Sequence, residues 1–181
     1  MLDEERIKKA QANISSYLAD GFIRKVKLSR KEVLECYKRN YKESIELADK
    51  LFEESSSNLW IIVISYYSMF YITNAVLYKI GYKIGDRIVH KITADALVFY
   101  IRNRLKKALL EDYEAAEEEA LGIIGRKTDE IISDYDRELD KRSIFQYETT
   151  EEVKRSKAKT SLERAKRFVF EMEKLLLSVQ K

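Results

Sequence analysis

The 181-residue chain contains no proline, five glycines, one cysteine and one histidine, and each shortage removes a class of structure or chemistry. With so few of these turn residues, an all-β fold of this length would lack what its many turns need, and few obligatory helix breakers interrupt the chain. Cys36 alone forms no intramolecular disulfide and no cysteine zinc site; ordinary packing is its expected role, and its solitude fits a reducing cytoplasm. A single histidine, His90, excludes a His-rich metal site and a two-histidine acid/base pair. An excess of one charge is also missing: 34 Lys plus Arg against 31 Asp plus Glu leave +3. Attraction to a polyanion must therefore come from local patches. No P-loop, dinucleotide fingerprint or Gly-x-Ser-x-Gly elbow occurs, and no cofactor is expected. The start, MLDEERIKKA, lacks a signal-peptide pattern, so the expected location is the cytoplasm.

Apolar residues at helical spacing are abundant. They predict one all-α domain over residues 1–181, an up-and-down bundle of four main helices with additional short ones. Residues 1–28 read as a short helix over 4–18 and a basic connector. Ser29 with Glu32 has the form of a capping box opening a long helix whose inward face holds Val33, Leu34, Tyr37, Tyr41, Ile45, Ala48, Leu51 and Phe52. The SSSN stretch at 55–58 ends it, with Asn58 as the expected cap of the next helix. That next segment, Leu59 to Tyr78, carries no charge over twenty residues, long enough to span a bilayer. Its internal Ser65, Ser68, Thr73, Asn74 and four tyrosines favour a buried central helix, so no membrane is expected. Gly81 and Gly85 bracket a loop, and a helix is expected from Asp86 to Leu110. Residues 111–140 read as a softer helical insertion, with a break or kink where two glycines fall close together. Thr149 with Glu152 marks the last helix, whose stripe is Ala158, Leu162, Ala165, Val169, Met172 and Leu176.

Candidate sites follow from residue type. His90 would share a helix face with Asp86, four residues earlier, and the pair reads more readily as structural than catalytic. Glu114, Glu117, Glu118 and Glu119 lack the Glu-x-x-His element of a carboxylate metal site and read as a solvated face, so no metal is expected. Two basic groups are candidates for RNA or phosphate: Arg24, Lys25, Lys27 and Arg30 in the connector, and Lys154, Arg155 and Lys157 at the front of the last helix.

The segment WIIVISYYSMFYITNAVLYKIGYK, the histidine just after the loop, a late Arg-to-Tyr segment and the closing SLERAKRFVFEMEKLL together resemble the HEPN family over roughly residues 31–178. The resemblance implies a helical bundle, commonly a homodimer, often paired with a minimal nucleotidyltransferase in a toxin–antitoxin system. Many members are metal-independent ribonucleases in which an Arg is followed four to six residues later by His. Here the matching segment reads Arg142-Ser-Ile-Phe-Gln-Tyr147, so the arginine has its counterpart and Tyr147 replaces the histidine. A tyrosine titrates near 10 and is a poor base at neutral pH. What the resemblance implies is thus an RNA- or nucleotide-binding or interaction module with a degenerate ribonuclease motif. A ribonuclease using Arg142 with His90 or Tyr147, and a non-catalytic helical scaffold, are the alternatives. Arg142 and Tyr147 could equally fix the loop entering the last helix.

Overall fold

A computed structural model describes residues 2–27, 30–139 and 153–179. Four long helices dominate them: α2 (Lys31–Glu53), α3 (Asn58–Lys79), α5 (Lys107–Leu139) and α6 (Arg155–Ser178). A shorter α1 (Glu4–Ala19) and α4 (Val89–Ala96) accompany them. The protein is an all-α bundle, as the apolar periodicity predicts.

Polar contacts give the helix directions. Asn58 at the start of α3 donates to the carbonyl of Val153 just before α6, and Lys79 at the end of α3 donates to the carbonyl of Leu176 near the end of α6. These two helices therefore run parallel. Tyr41 reaches Glu173 while Arg155 reaches the carbonyl of Phe52, which makes α2 antiparallel to α6. Asp112 of α5 pairs with Arg164 and Arg167, and Glu119 with Arg164, so α5 is antiparallel to α6 as well. In chain order the main helices alternate up and down.

The central position of α3 follows from its composition. It contributes to both hydrophobic clusters, one around Tyr66, Met69, Ile72 and Phe168, the other around Ile61, Ile62, Ile123 and Leu162. Its buried polar side chains mostly turn back on their own helix: Ser68 donates to the carbonyl of Ser65, Thr73 to Met69 and Asn74 to Phe70. That back-bonding satisfies Ser68 and Thr73 within the helix, and Asn74 also donates to the Thr93 hydroxyl of α4. It is also the one helix among the described residues long and apolar enough to cross a membrane, and about two thirds of its most apolar stretch, 67%, is buried inside the protein.

Several boundaries differ from expectation, each for a local reason. Arg30 caps α2 without a side-chain bond, and Ser29 of the expected capping box lies outside the described residues. The cap of α3 is Ser57, which accepts from the amide of Trp60, while Asn58 is drawn off to Val153. The single helix expected over 86–110 is instead α4, a π-helical turn (Leu97–Ile101) and a 3₁₀ turn (Arg102–Arg104). Arg102 closes that end by donating to the carbonyls of Val98 and Phe99. The break expected in 111–140 is absent, because α5 continues through Gly122 and Gly125. Each glycine costs a helix about 1 kcal/mol, and burial of Ile123 between them, in the cluster around Ile61 and Leu162, offsets it. The last helix begins at Arg155 behind a Lys154 cap; the expected Thr149–Glu152 box lies outside the described residues. The stripe from Ala158 to Leu176 is buried as expected.

Candidate functional site

The two loops read as connectors form a single element. Strand β1 (Ile23–Lys25) pairs antiparallel with β2 (Tyr82–Ile84), in the register Ile23 with Ile84, Arg24 with Lys83 and Lys25 with Tyr82. Backbone bonds from Val26 to Gly81 and from Gly85 to Phe22, both 2.8 Å, extend the ribbon at each end. The glycines are needed there: Gly81 has φ +96°, and a Cβ on Gly85 would stand 3.3 Å from the Phe22 carbonyl oxygen. A two-stranded ribbon is marginal alone, and burial of Ile23 and Ile84 fastens this one to the core, worth about 1.5–3 kcal/mol per side chain.

Alternation along the strands then decides which charges face water. With Ile23 and Ile84 inward, Arg24 and Lys83 lie directly opposite one another on the outer face. Lys25, Lys27 and Arg30 are also exposed. Among the described residues, no carboxylate forms an ion pair with Arg24, Lys25, Lys27, Arg30 or Lys83. Tyr82, opposite Lys25, stacks on Tyr100 with ring centroids 4.0 Å apart and planes 24° from parallel.

His90 sits half-buried near the start of α4 among Tyr66, Tyr67 and Phe70 of α3, with Phe70 at 4.8 Å. Its Nδ1 lies 2.8 Å from the Tyr66 hydroxyl. Burial pushes the Tyr66 phenol well above 10, an effect the Glu117 charge reinforces, so it keeps its proton. Burial also lowers the His90 pKa, which leaves the ring neutral at pH 7. The tautomer follows this bond: Tyr66 donating to Nδ1 puts the imidazole proton on Nε2, and Nδ1–H donating to the phenol oxygen leaves Nε2 as the acceptor. Asp86 is not the expected partner: α4 starts only at Val89, behind Ile88 in a left-handed conformation with φ 41°, so Asp86 lies outside the helix and shares no helical face with His90. The fully buried Tyr113 hydroxyl lies toward Tyr66 without completing a hydrogen bond of good geometry.

Beside this tyrosine group runs a seam of charges joining α1 to α4 and α5. Arg6 bridges Asp95 at 2.7 Å and Glu114 at 2.6 Å, while Asn13 and Tyr17 donate to the second oxygen of Asp95. Burial, and then the Asp95 anion, raise the Tyr17 pKa to about 12. Glu117 faces the same seam, and burial lifts its carboxyl to about 7, with Glu114 and Asp95 adding to the shift and Arg6 opposing it. The acidic cluster is therefore not the solvated face expected from sequence. Glu114 pairs with Arg6, Glu119 with Arg164, Glu117 is largely enclosed, and only Glu118 is fully exposed. Among the described residues no group of His, Cys, Asp and Glu is arranged to hold a metal ion.

The front of α6 is partly spent on structure. Arg155 lies over the Phe52 ring at 4.3 Å and bonds its carbonyl, whereas Lys154 and Lys157 are exposed without ion pairs among the described residues. Lys157 borders an open cleft of about 270 Å³ with Glu119, Ser156, Thr160 and Arg164. Cys36 is exposed on α2 and is not the packing residue expected. Arg142 and Tyr147 lie outside the described residues.

Sequence reasoning missed Lys83, Tyr82 and Tyr100, because nothing local shows that two segments almost sixty residues apart will pair. It missed Arg6 and Asp95 for the same reason. A search of family models, of characterised proteins and of solved structures found no match to the chain.

Proposed function

We propose that the protein is a HEPN-like RNA- or nucleotide-binding and interaction module whose β1–β2 ribbon receives phosphate. One observation carries this reading: Arg24 and Lys83 stand opposite each other across the ribbon with no acidic partner among the described residues. Like charges directly opposite in an antiparallel pair are destabilising, and a polyanion on that face converts the cost into attraction. The first turn of α6 points the same way, since it carries basic residues and no acid, against the preference of a helix N-terminus for negative charge. The remaining parts of the proposal rest on the resemblance: a homodimer, a minimal nucleotidyltransferase as partner in a toxin–antitoxin pair, and weak or no cutting because Tyr147 stands where the family has histidine. Trp60, Ile64, Tyr67 and Tyr71 form a partly exposed uncharged stripe on α3, which is consistent with self-association.

The test is fluorescence anisotropy with a labelled RNA in EDTA across a salt series. Arg24→Glu with Lys83→Glu is expected to weaken binding about tenfold or more and to flatten the salt dependence, with circular dichroism confirming that the helices persist. RNA binding that ignores both substitutions would sink the assignment of phosphate to the ribbon, and no RNA binding would leave a helical scaffold.

A second reading, a metal-independent ribonuclease using Arg142 with His90 or Tyr147, is favoured by the His90 geometry. A neutral imidazole held by Tyr66 accepts a proton at Nε2 when its Nδ1–H donates to the phenol oxygen. Cleavage in EDTA that is lost on both Arg142→Ala and His90→Ala would establish it over the binding module.

A further inference from the structure

We infer that the ribbon selects single-stranded over double-stranded RNA, because the stacked Tyr82–Tyr100 pair beside Lys25 forms a platform for an unpaired base. This inference rests on the proposal that the ribbon binds RNA, and it adds the form of RNA that fits. The two rings are already parallel within 24° and in contact at 4.0 Å, and Phe99 packs edge-on against Tyr100 to hold it. Both tyrosines pack against the core yet remain partly exposed, so part of this pre-stacked pair is within reach of a ligand at no further ordering cost. Lys25 is the direct cross-strand neighbour of Tyr82, on the strand face opposite to Arg24 and Lys83, which sets a cation within a side chain's length of the ring; a flexible single strand meets both pairs by passing around the ribbon's edge. The ribbon continues past it through the Val26–Gly81 bond to the exposed Lys27.

Charge is graded along the element. The nearest acids in sequence, Asp20 and Asp86, lie off the Ile23–Ile84 end, and the lysines and Tyr82 lie at the other. Aromatic stacking combined with backbone cations is what sequence-tolerant single-strand binding requires. A duplex offers no free base face, and the deep, narrow major groove of A-form RNA does not admit side chains that would reach one.

The experiment compares one labelled RNA strand of about 12 nucleotides, a length within single-strand site sizes, with the same strand annealed to its complement. Wild-type protein is expected to bind the single strand about tenfold more tightly, and Tyr82→Leu to remove most of that preference while Tyr82→Phe retains it. A 2-aminopurine placed in the single strand should lose fluorescence on binding wild-type protein, a stacking signal that needs no variant. Equal affinity for both forms, or unquenched 2-aminopurine, with binding still dependent on Arg24 and Lys83, would overturn the inference and leave the ribbon as a general phosphate site. Failure of wild-type protein to bind either RNA would overturn the ribbon's assignment itself.

Discussion

In the seam between α1, α4 and α5, Asp95 and Glu114 each meet Arg6, and Asn13 and Tyr17 converge on Asp95; on the β1–β2 ribbon, Arg24 stands opposite Lys83, bonds only the Gly21 carbonyl among the described residues and has no acidic partner there. The difference separates charge used to hold the fold from charge left available. A buried carboxylate without a partner is strongly destabilising, so the seam is complete only with α1 docked. An exposed cation has no such requirement, because water and counterions screen it. Where like charges are nevertheless brought opposite each other, stability alone does not explain the arrangement.

Three substitutions test this contrast. The largest effect is expected from Arg6→Ala, which leaves Asp95 and Glu114 unpaired; urea unfolding should show a loss of roughly 3 kcal/mol. A loss no larger than that of a surface ion pair would mean that α1 is only loosely attached. Next comes Glu117→Gln. Because the folded carboxyl titrates near 7, above its unfolded value, the wild-type protein loses stability as pH rises from about 4.5 to 7. Glutamine avoids that loss, so thermal melts should show stabilisation on the order of 2 kcal/mol at pH 8 that vanishes near pH 4. An equal gain at both pH values would place the effect in packing. The smallest change is Lys83→Thr, expected to raise stability by a few tenths of a kcal/mol while weakening RNA binding. If stability instead falls, the like-charge pair is not the conflict described.

Most of the architecture was legible because it is local. The Ala158-to-Leu176 stripe lies at 3.6-residue spacing and is buried accordingly, and the absence of charge in α3 marks it as central. Helix ends were less legible, since Asn58 finds a better partner in Val153 than in its own helix. The acidic run was misread because its counter-charges, Arg6 and Arg164, lie far away in sequence. For the candidate site, Arg24, Lys25 and Lys27 were visible as a basic run, but Lys83 and Tyr82 become part of it only through strand register. His90 was singled out correctly as the lone imidazole, yet its partner is Tyr66 across helices, not Asp86 along the chain.

The parallel pairing of α3 with α6 also bears on how the chain is made. During synthesis, about 75 residues separate the end of α3 from the start of α6, roughly 4–15 s at ordinary translation rates. For that interval α2 can close on α3 as a local hairpin, but the face that Phe168 and Leu162 will cover has no occupant. The most apolar helix thus leaves the ribosome well before its last neighbour, and crowded expression or slowed translation through 80–154 should raise aggregation more than the finished protein's stability would imply.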